Sequence, residues 1–151
     1  MSRLALAVIA LLLSAPAYAA DYPILGNWMI VKWMIAPWVD AKGKVAGLEA
    51  AAKARLNMLI DFEPNRVTAR DPVLNCTNAE YERTKFAPDA LFQGMLPAPN
   101  QARLAQSLGL PPGDVAGFDL GCSTGLFSFH FADRSTLLFA LDDVIYTMNR
   151  Q

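Results

Sequence analysis

Apolar and polar residues alternate most regularly near the C-terminus of the chain. Phe127, Phe129 and Phe131 are interleaved with Leu126, Ser128 and His130, and a period of two sets the three rings on one face of a strand. That face requires burial, and the alternation sends Ser128 and His130 to the other face. Asp133-Arg134 reads as a turn, 137–141 as the next strand, Asp142-Asp143 as a second turn, and 144–148 as a third strand rich in β-branched and aromatic residues. The pattern predicts a buried set of Trp28, Phe127, Phe129, Phe131, Leu137, Phe139, Val144 and Tyr146.

Upstream, 28–35 runs apolar apart from Lys32, and 58–62 and 66–69 read as strands around a Glu63-Pro64-Asn65 turn. After the break at Asp71-Pro72, 73–81 resumes as strand, ending in charged residues. The stretch 88–96 reads as a turn followed by a short extended segment whose large apolar residue is Phe92, and 115–122 as a strand carrying Cys122. Two helices interrupt this series. Residues 48–56 are strong helix formers with Glu49 and Lys53 at the favourable i, i+4 spacing and Leu48, Ala52 and Leu56 on the apolar face. Residues 101–108 follow Asn100 as a cap and stop at Gly109, with Pro111-Pro112 just beyond. The expected fold is mainly β with two short helices, an antiparallel meander closed into a small barrel or strongly curved sheet.

Trp28 and Trp33 are five residues apart, and Trp38 follows. An odd spacing places successive rings on opposite faces of a continuous strand, so a shared stripe needs a bulge or bend. Ala36-Pro37 is the expected place, because proline cannot donate to a ladder. These rings either close the end of a barrel or line a ligand site. Gly26-Asn27-Trp28, opening the first strand, resembles the G-x-W element of lipocalins and lipocalin-like barrels, whose tryptophan packs across the barrel floor. The T-D-Y-type element of that family is absent from mid-chain. The resemblance implies an antiparallel barrel whose open end takes a small apolar ligand. Tyr81-Glu82-Arg83-Thr84-Lys85 is superficially similar to a Tyr, Thr, Lys element in one family of bacterial lysozyme inhibitors, without that family's glycine and serine context, and no site is carried over from it.

Composition changes this picture in three ways. Arg3, the apolar run 4–13 and the small residues of Ala17-Tyr18-Ala19 read as a signal peptide over 1–19. Its roughly ten apolar residues fall short of the roughly 20 that span hydrocarbon. A single domain over 20–151 is therefore expected after cleavage, periplasmic or secreted, with no membrane span. The 13 basic residues are dispersed among 14 acidic ones, which excludes the clustered basic face that nucleic acid requires. Cys76 and Cys122, an even count in an exported chain, predict one disulfide. With no C-x-x-C spacing and one histidine, a thiolate metal site or a redox pair is poorly supplied. Asn75-Cys76-Thr77 has the form of a glycosylation sequon, but a bonded central cysteine would crowd a glycan.

His130 is the sole imidazole, read as a surface or hydrogen-bonded residue. No nucleophile elbow, phosphate loop or metal-ligand pair accompanies it. No catalytic residue, metal or cofactor is assigned. The resulting expectation is an exported, non-enzymatic binder of a small, mainly apolar ligand, lined by Trp28, Trp33, Trp38 and Phe92. The alternative is a protein-interaction module, such as an inhibitor of an extracytoplasmic enzyme, working through loops such as 85–99. The first needs an internal cavity; the second is compatible with a solid core.

Overall fold

The computed structural model describes residues 22–40 and 45–151, and the signal segment expected over 1–19 lies outside them. Nine strands form one antiparallel sheet: β1 (Gly26–Ile35), β2 (Leu59–Glu63), β3 (Arg66–Ala69), β4 (Cys76–Thr77), β5 (Glu80–Phe86), β6 (Val115–Cys122), β7 (Gly125–Asp133), β8 (Thr136–Leu141) and β9 (Val144–Arg150). Their spatial order is β4-β3-β2-β1-β9-β8-β7-β6-β5. β4 and β5 thus stand at opposite edges, yet only Asn78 and Ala79 join them, so the sheet must curl until its edges meet. The result is a half-barrel.

The edges meet without a shared ladder. The Tyr81 hydroxyl on β5 donates to the Glu63 carbonyl at 2.7 Å, and the Ala79 N–H donates to the Asn65 carbonyl at 2.8 Å. Cys76 on β4 is bonded to Cys122 on β6, with Cα atoms 5.5 Å apart. The single strand expected over 73–81 is broken here. Asp71 Oδ1 accepts from the Val73 N–H at 3.0 Å, turning the chain before Cys76, and Asn78 takes a left-handed φ of 58° after Thr77. The charged residues that seemed to end a strand belong instead to β5, which runs on to Phe86 opposite Val115.

The inner face is filled by rings. Phe62 meets Phe118 and Phe129 edge-on at 5.8 and 5.4 Å, Phe118 stacks on Phe129 at 4.8 Å, and Phe139 stacks on Tyr146 at 5.3 Å. All eight residues expected in the core are buried. Trp28 lies among them, donating from Nε1 to the Ile24 carbonyl at 2.9 Å, with the Arg150 guanidinium 5.7 Å from its ring. A bulge between Ile30 and Lys32 resets the alternation of β1, so that Trp28 and Trp33 pack on the same inner face. The bend expected at Ala36-Pro37 is present, since β1 ends at Ile35 and the chain turns over 37–39, but the irregularity that aligns Trp28 with Trp33 is the earlier bulge.

Helix α1 (Val45–Arg55) packs on β1 and inserts Ala52 into the inner core. Arg55 fixes it: Nε bonds Asp71 at 2.6 Å, one terminal nitrogen bonds the Tyr146 hydroxyl at 3.0 Å, and the other bonds Asp142 at 2.9 Å. On the outer face, the stretch 87–113 covers β7 and β8 with Leu91, Phe92, Leu96, Ala105 and Leu110. Within it, 88–96 is not the extended segment expected but carries a 3-10 turn over Leu91–Gly94. Helix α2 (Gln101–Ser107) starts without a side-chain bond from Asn100, contrary to the predicted cap. Its end matches expectation: Gly109, at φ 90°, and Leu110 donate back to Gln106 and Ala105, closing the last turn.

Gly117 on β6 faces His130 across the ladder. A Cβ there would lie 2.1 Å from the Phe129 carbonyl oxygen and 2.8 Å from the Phe86 ring, so the Phe86 ring occupies the place of a side chain. Gly117→Ala is expected to lower stability by about 3 kcal/mol, the upper end for overpacking, because a backbone atom must yield. Urea unfolding checks this. Replacing both Cys76 and Cys122 by Ser should lower stability by about 4 kcal/mol, as expected for a closed loop with a sequence separation of 46. A loss under about 1 kcal/mol, the worth of one hydrogen bond, would show that the Tyr81 contacts hold the edges by themselves.

Candidate functional site

The two-residue turn between β8 and β9 places Asp142 and Asp143 at φ 51° and 62°, as a type I′ hairpin requires. The Asp143 carbonyl accepts from the Ala36 N–H at 3.0 Å, which carries the chain leaving β1 across this turn. Two residues on, Trp38 donates from Nε1 to Asp143 Oδ1 at 3.0 Å, fixing the plane of the indole. The Trp38 ring lies 6.0 Å from the Phe92 ring. Beside this ring pair opens a surface cleft of about 200 Å³, lined by Trp38, Phe92, Gln93, Met95, Ser128 and the Asp142-Asp143 turn.

The segment carrying Phe92 is held in an uncommon backbone. Phe92 (φ 51°, ψ 43°) and Gln93 (φ 59°, ψ 34°) are both left-handed, and Gly94 follows at φ 77°. A left-handed non-glycine residue costs about 1 to 2 kcal/mol, and two side-chain bonds act against that cost. The Phe92 N–H donates to His130 Nε2 at 2.9 Å, and Gln93 Nε2 donates to the Leu126 carbonyl at 3.0 Å.

His130 is fully buried between Phe86 and Phe92, whose rings stand edge-on to it at 4.5 and 4.7 Å. It lies on the face opposite the phenylalanines, as the alternation predicts, but it is not a surface residue: 87–113 covers it. Because Nε2 accepts a hydrogen bond, the neutral ring carries its proton on Nδ1, which is buried with no partner among the described residues. Burial pushes the pKa of the ring down to about 3. Two residues earlier, the Ser128 hydroxyl donates to Asp119 Oδ1 at 2.5 Å. Serine, histidine and aspartate therefore share a strand face without forming a relay. The serine proton goes to the carboxylate, and the imidazole nitrogen that could accept it is occupied by a backbone N–H.

Of the four residues expected to line a ligand site, the fold brings Trp38 and Phe92 together and places Trp28 and Trp33 on the inner face. Gln93, Met95, Ser128 and Asp143 join the cleft without having been singled out as lining residues. Asp143 was legible only as turn chemistry, and no local pattern marks the others. Among the described residues, no group of three or more His, Cys, Asp or Glu side chains is placed to hold a metal ion, and no helix is long and apolar enough to cross a membrane. Comparison with protein-family models, curated proteins and solved structures finds no match for this chain.

The depressed pKa of His130 fixes the sign of a pH dependence. A group titrating near 3 when folded and near 6.5 when unfolded favours the fold fully above pH 6.5, and this contribution is lost as pH falls toward 3. Between pH 6 and 4, the native protein should lose about 1.4 kcal/mol per pH unit relative to His130→Gln, whose carbonyl still accepts from Phe92. Carboxylate titrations common to both proteins cancel in that difference. Parallel urea-derived stability curves for the two proteins would contradict the assignment of a buried neutral imidazole.

Proposed function

We propose that the protein is a non-catalytic interaction module of an oxidising, extracytoplasmic compartment, periplasmic or secreted, that engages a protein partner through the cleft lined by Trp38 and the Asp142-Asp143 turn. The observation that carries this reading is the filled interior. Phe62, Phe118, Phe129, Phe139 and Tyr146 occupy the space where a barrel would hold a ligand, and the aromatic concavity lies outside. At about 200 Å³ it is smaller than the roughly 300 to 1,000 Å³ of pockets that enclose small molecules. It is of a size to receive one inserted side chain. Beside it, Met95 is 48 % exposed and Leu126 59 % exposed, and aromatic and methionine side chains are enriched where protein partners meet. The disulfide accords with an oxidising compartment.

A small apolar ligand is the second reading, favoured by the meeting of Trp38 and Phe92, two of its expected lining residues, in this one cleft. The resemblance of Gly26-Asn27-Trp28 to lipocalins belongs to the same proposal, and the position of Trp28 inside the curled sheet supports it.

Native mass spectrometry of protein purified gently from its own host separates the readings. The expected result is a protein adduct, lost in Trp38→Ala and in Met95→Asp and kept in Lys32→Ala, a surface control. A small-molecule adduct that survives Met95→Asp, or a partner whose binding ignores Trp38, would overturn the proposal.

A further inference from the structure

We infer that the group received by this cleft is the guanidinium of an arginine side chain presented by the protein partner. The inference rests on the reading above and adds the chemistry of the occupant. Two kinds of wall meet in the cleft. Half-buried Trp38 supplies the accessible aromatic face, and Phe92, only 3 % exposed, backs it at 6.0 Å, too close for a third plane to enter between them, so the two rings form one angled wall rather than a slot. The Asp142-Asp143 turn supplies carboxylates at the mouth.

Among the described residues the negative charge there is only partly balanced. Asp143 Oδ1 accepts from the neutral indole N–H of Trp38. The Arg55 guanidinium that bonds Asp142 also bonds Asp71, so one cation serves two acids. On the neighbouring strand β6, Asp119 accepts from Ser128 and stands across the ladder from Glu82, a like charge. Among the described residues, Asp143 and Asp119 form no ion pair with a Lys or Arg side chain.

An occupant must complement both walls at once. An apolar side chain would cover the rings but would desolvate the Asp143 carboxylate and the Ser128 oxygen without partners, which is costly. An ammonium is a compact, strongly hydrated point charge. A guanidinium is planar, lies flat on an aromatic face, and directs in-plane N–H donors at a carboxylate while it does so. Asp143 can accept through its second oxygen, because only Oδ1 is engaged by Trp38.

The charge can be removed without disturbing this geometry. Asparagine tolerates the left-handed φ of 62° at position 143, and its amide oxygen can still accept from Trp38. The test titrates isotope-labelled protein with N-acetyl-arginine amide, N-acetyl-lysine amide and N-acetyl-leucine amide up to about 10 mM, reading the Trp38 indole N–H and the Gln93 amide by NMR. Expected is a saturating shift with the arginine probe, bound about fivefold more tightly than the lysine probe and weakened about fivefold in Asp143→Asn, each about 1 kcal/mol. Equal binding of arginine and lysine, or arginine binding untouched by Asp143→Asn, overturns the guanidinium assignment. Saturation by the leucine probe alone overturns it too, while leaving the cleft as an interaction site. No shift with any probe overturns both this inference and the reading on which it rests.

Discussion

The burial of β7 on both faces is the constraint on which the rest of the structure depends. Its three phenylalanines fill the curled sheet from within, so Ser128 and His130 necessarily point outward. The stretch 87–113 covers that outer face with apolar side chains, and covering an imidazole leaves its nitrogens without water. One nitrogen is satisfied by the Phe92 N–H. A buried acceptor left unmade costs roughly 1 to 3 kcal/mol, comparable to the cost of a left-handed non-glycine residue. The turn that strains Phe92 and the bond that satisfies His130 thus sustain each other, and together they hold the Phe92 ring toward Trp38. The cleft is a consequence of how the second face of one strand was buried.

Closure of the half-barrel is a separate matter with a different balance. The Tyr81 hydroxyl bond to Glu63 spans the seam, and burial with nearby acids pushes the Tyr81 phenol up to about 12. A neutral bond of this kind contributes about 1 kcal/mol, against about 4 kcal/mol for the cross-link between Cys76 and Cys122. The disulfide is therefore the larger stabilising element at the seam. That preference ties the fold to an oxidising environment more firmly than the cysteine count alone.

What was legible in the sequence was whatever repeats locally. The alternation in β7, the apolar runs of β8 and β9 and the Gly109 stop each depend on neighbours within a few residues, and the structure has them where the pattern sets them. The cysteine pair was legible for another reason, since two cysteines allow one pairing. The turn at Phe92 was not legible, because its left-handed residues are Phe and Gln, which carry no turn signal; only Gly94 does. The bulge in β1 falls at Val31, a residue that otherwise favours regular strand. β5 was hidden by its charges, which suit an edge strand as guards against further pairing. The cleft was the least legible feature, since Trp38, Met95 and Asp143 are brought together by the fold and not by any spacing.

The Asp142-Asp143 turn with Trp38 and the turn that carries Phe92 are held in different ways. The Asp142-Asp143 turn is braced by Arg55, whose three hydrogen bonds join α1, the segment after β3 and the end of the β8–β9 hairpin. Burial opposes ionisation of Asp71 there, but the Arg55 and Val73 hydrogen bonds prevail and hold its carboxyl below the usual range. Trp38, bonded to this turn, inherits that rigidity. Phe92 packs against it from a strained turn held by a bond to the buried neutral imidazole and by the Gln93 bond to the Leu126 carbonyl. A rigid aromatic anchor loses little side-chain entropy when it meets a partner. Leaving that turn would relieve about 1 to 2 kcal/mol of backbone cost per residue, but it would break the His130 bond and uncover the buried Phe92 ring. On the proposed reading, selectivity would come from the side where a carboxylate and an indole are set at one angle by the Asp143–Trp38 bond.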